Sequence, residues 1–414
     1  MLNYVGQTAL AASSLAGQVQ FLLTMFFIGL GSGLAMLTAQ YWGKKDCASI
    51  ETLTGIAFRL SSAVGFAFTI AACFFPNFLM RIFTNEISLI TEGASYLRIV
   101  GISYIFMSFS QVFHAVFKSI ERVKTVTAIT FVTLLMNVFL NATFIFGFFS
   151  FPKLGIRGVA IATLISRVTE FFVCCIISSR IKEIHFSPKI FFRKNAVLLR
   201  DFLHYSLPAI GNEFVWGAAS AMYSVIFGHL GSDIVAANSI VGTVLQLASV
   251  LCFGMAYGGA ILLGKEMGAG NMAQAKTDSA RLWKSTTVAG LISALVICAM
   301  QPIVPHFVRL TPQAMDYLSV MMFITAANIF GASVNTVFIC GLFRAGGDAR
   351  FGLITDAIFM WGVSIPLALF AFLVLKLSPL WVFFVIRMDE FEKMPFIIHH
   401  YKKGTWLKNI TRDF

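Results

Sequence analysis

Two carboxylates lie inside long apolar stretches of this sequence, where a charged side chain is expensive. Glu213 falls near the middle of the stretch 202–228, and Asp356 falls near the start of the stretch 351–375. At the centre of a bilayer, such a group costs about 2.5–3.5 kcal/mol unless it faces protein or water. Because binding a proton or a metal ion offsets that cost, we predict that both acids bind a coupling cation. The alternative is a neutral carboxyl that only holds helices together.

Other polar side chains in apolar stretches are candidates for lining a substrate cavity. Asn137 and Asn141 are one helical turn apart in the stretch 125–149 and therefore share a face. They either line a polar cavity or bond to a neighbouring helix. Trp216 is a further candidate because an aromatic face attracts organic cations. Asn335 is another, as a polar side chain within an apolar stretch.

Three acidic side chains stand close to an arginine in sequence, at a spacing that allows pairing on one helix. Arg167 precedes Glu170 by three residues, and Arg387 is followed by Asp389 and Glu390. Side chains three or four residues apart are neighbours on a helix surface. We expect structural ion pairs here.

The composition requires membrane-spanning helices to carry these residues. Of 414 residues, 58 % are apolar or aromatic and only 12 % are charged, about half the charged share of a soluble domain. These values exclude a disulfide scaffold, a disordered chain and a nucleic-acid-binding domain. Stretches of about 20 apolar residues can cross a bilayer as helices. We predict eleven such spans, near 8–42, 52–76, 88–117, 125–149, 156–180, 202–228, 234–264, 282–304, 314–343, 351–375 and 378–400.

The basic residues cluster on one side of these spans. Most of the 31 Lys and Arg residues fall on a single side, including Lys44, Lys45, Arg344, Arg350 and Lys393. The other side receives Arg81, Arg98, Lys153, Arg157, Arg309 and Lys376. Cytoplasmic loops carry such an excess. We therefore expect a multi-pass protein of the inner (plasma) membrane with a cytoplasmic C-terminus, and only Arg167 and Arg387 as basic residues within spans.

The chain contains an internal repeat. Twelve of 38 positions are identical between Gly6–Gly43 and Gly231–Gly268. The fold class predicted from this is an all-α polytopic membrane protein with two pseudosymmetric lobes as parallel repeats. The lobes are 1–180 and 202–400, joined by a cytoplasmic linker, 181–201, and followed by a cytoplasmic tail, 401–414. Since the span 202–228 precedes the repeated region, its counterpart would precede Met1, and we expect 11 of 12 helices.

Several short motifs resemble those of bacterial multidrug and toxic compound extrusion (MATE) transporters, over essentially the whole chain. They are Val5-Gly6 with Ala11-Ala12, Ala39 to Asp46, Leu207-Pro208 with Asn212-Glu213 and Trp216, Gly228 to Gly231, Gly264-Lys265 with Gly268 to Asn271, and Phe343 to Arg350 with Asp356, Trp361 and Pro366. The resemblance implies two six-helix lobes and export of organic cations in exchange for H⁺ or Na⁺. It also implies that Glu213 is the coupling carboxylate.

The sequence analysis therefore predicts a cation-coupled antiporter that exports drugs or organic cations by alternating access. We expect a monomer in the bilayer with no nucleic-acid partner, no cofactor beyond the coupling ion and no bound metal. Three alternatives stay open: a flippase of lipid-linked oligosaccharides, a truncated non-functional remnant and a membrane enzyme. A flippase would need a strongly cationic cavity, and no enzyme motif such as HExxH, GxSxG or a P-loop occurs in the chain.

Overall fold

The computed structural model describes residues 7–148, 152–184, 188–308 and 310–413, and these ranges contain helices and no strand. Val5, Gly6 and Arg309, which entered the sequence analysis, lie outside them. The α-helices are α1 Gln7–Gly43, α2 Cys47–Phe74, α3 Pro76–Phe83, α4 Ile87–Ser119, α5 Val123–Phe146, α6 Gly155–Ser178, α7 Ala196–Leu230, α8 Ser232–Gly268, α9 Met272–Met300, α10 Pro312–Thr336, α11 Ala349–Asp356, α12 Ile365–Leu373, α13 Pro379–Arg387 and α14 Asp389–Lys403. Short 3₁₀ turns occupy Pro188–Phe192 and Val304–His306.

Local sequence signals set several of the helix ends. Asp46 precedes α2 and its carboxylate accepts a hydrogen bond from the Ser49 N–H at 3.0 Å. Thr311 precedes α10 in the same way, accepting from the Ala314 N–H at 3.1 Å. Side-chain oxygens at this position satisfy N–H groups that the first helical turn leaves free. Gly147 ends α5 in the left-handed conformation, at φ 76°, where glycine carries no steric penalty.

Nine helical segments in the described ranges are long and apolar enough to cross a membrane. They correspond to nine of the eleven predicted spans. The predicted span 202–228 lies within α7, a single helix of 35 residues. The predicted span 378–400 consists of α13 and α14, which follow each other with a break at Met388.

The chain divides into two compact units. The first comprises residues 1–38 and 46–204, and the second comprises residues 39–45 and 205–414. The residues predicted as a linker, 181–201, therefore fall with the first unit. The predicted tail falls with the second, together with the last residues of α1.

Each unit is organised around one long central helix. In the first unit α4 packs against α2 and α6, and α5 packs against α6. In the second unit α10 packs against α8, α9 and α14, and α12 packs against α13. The cores of both units consist of aliphatic and aromatic side chains such as Leu23 and Leu97 in the first and Ile234 and Phe383 in the second.

The order of helices repeats along the chain. The ranges Gln7–Gly43 and Ser232–Gly268 differ by 225 residues at both ends, and the same shift takes α2 onto α9 and α4 onto α10. It also takes α5 onto the region 349–373 and α6 onto the region of α13 and α14. The predicted all-α fold with two like-built halves is confirmed.

The tail is packed into the second unit. Trp406 is 2 % exposed, stacks on Tyr401 and donates to the Tyr401 carbonyl at 3.2 Å. The buried Gln40 side chain donates to the carbonyls of Ala345 and Lys408 at 2.8 and 3.0 Å, and its oxygen accepts from the Ile410 N–H at 2.8 Å. These contacts tie residues 404–413 to the end of α1.

Candidate functional site

Two π-helical stretches in the second unit flank the candidate site. The first, Val337–Phe343, continues α10, and Arg344 follows it directly. The second, Ala357–Ser364, begins directly after Asp356 at the end of α11. π-helical turns add a residue to the helical repeat and occur frequently at functional sites. Both interruptions therefore border residues whose side chains meet in one cavity.

A chain of short polar contacts connects Glu213 to Asp356. The Arg344 guanidinium donates through Nη2 to Glu213 Oε1 at 3.0 Å and to Asn212 Oδ1 at 2.7 Å. The Asn212 amide in turn donates to Asp356 Oδ2 at 2.7 Å. Asn212, Asp356 and Arg344 are almost fully buried, at 4 %, 6 % and 2 % exposure. The adjacent positions of Asn212 and Glu213 thus let one helix, α7, hold both partners of the same arginine.

Lys393 continues this network on the other side of Asp356. Its ammonium lies 3.3 Å from Asp356 Oδ1, 3.1 Å from Glu390 Oε1 and 3.8 Å from Asp389 Oδ2. The Asn335 amide donates to the second Glu390 oxygen at 2.7 Å. Lys393 is 3 % exposed. The buried Lys393 ammonium therefore lies within ion-pair distance of three carboxylates.

All of these groups except Asp389 line a cavity with about 100 Å³ of internal space for water. A single water needs about 10–15 Å³ on this measure, so the cavity holds several waters or a small hydrated ion. Its lining combines charged, amide and aromatic or apolar side chains, namely Asn212, Glu213, Trp216, Phe253, Tyr257, Asn335, Thr336, Ile339, Cys340, Arg344, Asp356, Glu390 and Lys393.

Acids outnumber bases in this network. We define the carboxylate cluster as Glu213, Asp356, Asp389 and Glu390, and the buried cations as Arg344 and Lys393. When all six groups are ionised, the four carboxylates exceed these two cations by two negative charges. Arg387 also interacts electrostatically with Asp389 and Glu390, and counting it leaves a surplus of one negative charge. Uncompensated charge is costly in a buried site. The arrangement is therefore suited to accept positive charge from outside.

Comparison with known proteins identifies the fold to which this site belongs. The MatE family model matches residues 1–143 and 208–370. The chain belongs to the MatE family. Members of this family are transporters, so the chain is a membrane transporter and not an enzyme.

Individual relatives match along nearly the whole chain. The chain is 24 % identical over 415 residues to the uncharacterized transporter YisQ of Bacillus subtilis (strain 168), covering 99 % of this chain and 90 % of that one. It is 25 % identical over 420 residues to the probable multidrug resistance protein YoeA of the same organism, covering 99 % and 89 %. A solved MOP superfamily transporter from Pyrococcus furiosus has the same fold, with a TM-score of 0.88, 17 % identity and coverage of 97 % and 89 %.

Four of the residues predicted for the site come together in this MatE protein. Glu213, Asp356, Trp216 and Asn335 all line the one cavity. Their roles in binding an ion or a substrate stay predictions. Trp216 is 43 % exposed, which leaves much of its ring accessible.

The other two predicted site residues lie elsewhere. Asn137 and Asn141 belong to α5 of the first unit and are not part of this lining. The Asn141 amide donates to Asn137 Oδ1 at 2.9 Å, which confirms that they share a helix face. A cavity role for this pair stays a prediction.

Arg344 and Lys393 are two basic residues that the sequence analysis assigns to the cytoplasmic side and does not count within spans. Both side chains are buried and line the MatE cavity, at 2 % and 3 % exposure. Long basic side chains extend away from their own backbone. Arg167 and Arg387 are therefore not the only basic residues within the helical core. A usable signal for Lys393 was its spacing, since Asp389 and Glu390 precede it by four and three residues.

One of the two expected intrahelical ion pairs forms. Arg167 binds Glu170 at 2.7 Å, and the same carboxylate lies 3.5 Å from His114 Nε2 in the first unit. The pairing expected for Arg387 is wrong within the described residues. Its guanidinium lies over the Phe383 ring, at 5.0 Å from the centroid, and its Nε has no hydrogen-bond partner. The Lys393 ammonium is the group that lies within ion-pair distance of Asp389 and Glu390, at 3.8 and 3.1 Å.

Proposed function

We propose that this transporter exports small amphipathic organic cations in exchange for H⁺ or Na⁺, with Glu213 and Asp356 as part of the ion-binding site. The observation that carries the proposal is the surplus of carboxylates in a cavity that also has aromatic walls. When the coupling ion and the substrate compete for the same carboxylate, the binding of one favours release of the other. This competition couples the movement of the two cations. This requires no nucleotide and no cofactor.

The aromatic lining suits a lipophilic cation. Trp216, Phe253 and Tyr257 face the same cavity as Glu213. A cation over an aromatic face gains about 0.5–2 kcal/mol in addition to its attraction to a nearby carboxylate. Related proteins described as probable multidrug resistance proteins are in keeping with this substrate class.

The driving energy would come from an ion gradient. Moving one charge across a membrane potential supplies about 2.3 kcal/mol for every 100 mV. We propose that the transporter works in the plasma membrane as a monomer, with its C-terminus in the cytoplasm and the cavity exposed alternately to each side. A reporter fused after residue 414 tests the orientation, since only a cytoplasmic fluorescent protein would mature there.

Efflux of ethidium tests the proposal. Glu213→Gln and Asp356→Asn each remove one charge and keep the side-chain shape. Matched controls are Glu92→Gln and Asp316→Asn, whose side chains are exposed. We expect the cavity variants to lose gradient-driven efflux and the controls to retain it, at equal amounts of protein in the membrane. Unchanged, gradient-dependent efflux by Glu213→Gln would contradict the assignment of the coupling site.

A flippase of lipid-linked oligosaccharides is the second candidate, and one observation bears on it. Arg344 and Lys393 are buried cations of the kind that an anionic pyrophosphate would need. Each is already bound to carboxylates at 3.0–3.3 Å. Because the acids outnumber them, the cavity favours positive ligands. Binding of an anionic lipid in place of ethidium would reverse this ranking.

A further inference from the structure

We infer that the coupling ion at the carboxylate cluster is a proton, and that Arg344 and Lys393 determine this choice by excluding Na⁺. The inference rests on the proposed cation coupling and specifies its ion. Arg344 and Lys393 are then specificity-determining residues, although neither is itself expected to carry the transported charge.

The Lys393 ammonium occupies the position that a metal ion would need. It lies between three acids, at 3.1 Å from Glu390, 3.3 Å from Asp356 and 3.8 Å from Asp389. A hard metal cation requires several oxygen ligands around it at once. A Na⁺ ion that shared these oxygens would lie within a few ångströms of the tethered ammonium. The two like charges would repel strongly at that distance.

Arg344 has the same effect at Glu213. One Glu213 oxygen accepts from its guanidinium at 3.0 Å, and the guanidinium is fixed further by Asn212 at 2.7 Å. Arg344 is 2 % exposed, and breaking its bonds in a buried site would leave charges uncompensated. A metal ion therefore competes at both ends of the cluster with a cation that is part of the chain.

A proton meets the same charge repulsion, but it needs no space between the carboxylates. It binds one lone pair on one carboxylate oxygen and needs no shell of ligands. Four carboxylates face Arg344, Lys393 and Arg387, and this surplus of one carboxylate leaves room for one proton without displacing a cation of the chain. The other titratable groups that face the cluster are Tyr257 and Cys340 in the cavity wall, and Tyr223 and Arg387 near Asp389.

Ion binding can be measured without transport. Purified full-length protein in detergent is melted in NaCl and in choline chloride at equal ionic strength, at several pH values between about 5.5 and 8.5. For the wild type we expect a pH-dependent melting temperature and no difference between the two salts. For Lys393→Gln we expect a Na⁺-specific stabilisation, with Na⁺ affinity raised roughly tenfold or more because the competing ammonium is gone. Exposed Lys402→Gln is the matched control and should behave as the wild type.

A second variant keeps the inference testable if Lys393→Gln alone does not fold. Lys393→Gln with Asp389→Asn removes one positive and one negative charge and so keeps the surplus unchanged. It should also gain Na⁺-specific stabilisation. Clear Na⁺-specific stabilisation of the wild type would overturn the inference, and so would the lack of any Na⁺ response in both folded variants.

Transport in proteoliposomes separates this inference from the proposed function. A pH gradient alone should drive ethidium movement, and a Na⁺ gradient alone should not. Movement driven by Na⁺ alone would overturn proton coupling while leaving cation-coupled export intact. Movement that neither gradient drives would overturn the proposed function, whatever the melting experiment shows of ion binding.

Discussion

Replacing Arg344 by methionine is the perturbation that most directly tests the polar network. Methionine is similar in length and apolar, so the substitution removes charge and hydrogen bonds with little change in packing volume. Glu213 loses its ion-pair partner, and Asn212 Oδ1 loses the donor at 2.7 Å. The carboxylate surplus of the cluster increases at the same time. We expect a marked loss of stability.

The magnitude follows from the geometry. Two unit charges 3.0 Å apart attract by about 5–6 kcal/mol at an effective dielectric constant of about 20. The Glu213 side chain is 13 % exposed, so water screens part of this attraction. Removing one partner of a buried pair costs about 3–5 kcal/mol in general, and we expect a loss of that size. Adding Glu213→Gln to Arg344→Met should restore about 2 kcal/mol, because the unpaired carboxylate is then gone.

Fluorescence-detected melting in detergent measures this series. Arg350→Met is the control, since Arg350 is exposed at the start of α11, and changes at exposed positions usually stay within about 0.5 kcal/mol. Because membrane proteins often unfold irreversibly, the order of melting temperatures and inactivation half-lives is the robust readout. The expected order is wild type and Arg350→Met highest, then the double variant, then Arg344→Met. A double variant less stable than Arg344→Met would refute the pairing argument.

Further predictions concern the packing of the second unit. A Cβ on Gly268 would clash with the Gln40 carbonyl oxygen, whereas one on Gly254 in the same helix meets nothing within 4 Å. Gly268→Ala should therefore lower stability by about 1–3 kcal/mol or more, and Gly254→Ala should be neutral or stabilising by up to about 1 kcal/mol; equal melting temperatures would contradict this. Trp406→Ala should cost about 3–5 kcal/mol because the ring is buried, and protease cleavage within 404–413 should accelerate. Trp381→Ala is the control: because the Trp381 ring is 58 % exposed, this substitution should neither lower stability by that amount nor accelerate cleavage within 404–413.

Hydrophobicity alone was sufficient to predict most of the helices. Nine predicted spans correspond to helices that are apolar over a membrane thickness, because burying backbone polar groups in lipid leaves few alternatives to a helix. The region 378–400 was harder to read. The middle of this region contains Asp389, Glu390 and Lys393, and the helix is interrupted at Met388. A window of mean hydropathy gives no information on such a break.

The charge pairing could be predicted only in part. Glu213 and Asp356 were recognisable because an acid in an apolar stretch is unusual. Arg344 was not, since it stands at the end of a span where loop arginines are common, and only the folded chain brings it to Glu213. The partners are separated by 131 residues in sequence. Periodicity carries information about one helix at a time and none about which helices meet.

The site lies where the second unit departs from the repeat. In the first unit α4, α5 and α6 are each a continuous α-helix. Their counterparts are interrupted at three points: a π-helical stretch before Arg344, another directly after Asp356, and the break before Asp389.

Each interruption changes the direction in which the next side chains leave the helix, since a π-turn takes about one more residue than an α-turn. A regular helix at these positions would rotate the cluster residues away from their partners. At a shift of 225 residues, Arg344, Asp356 and Asp389 correspond to Ser119, Phe131 and Leu164, so the first unit lacks these charges. The repeat therefore accounts for the scaffold, and the charged residues together with the three interruptions account for the cluster in the second described unit.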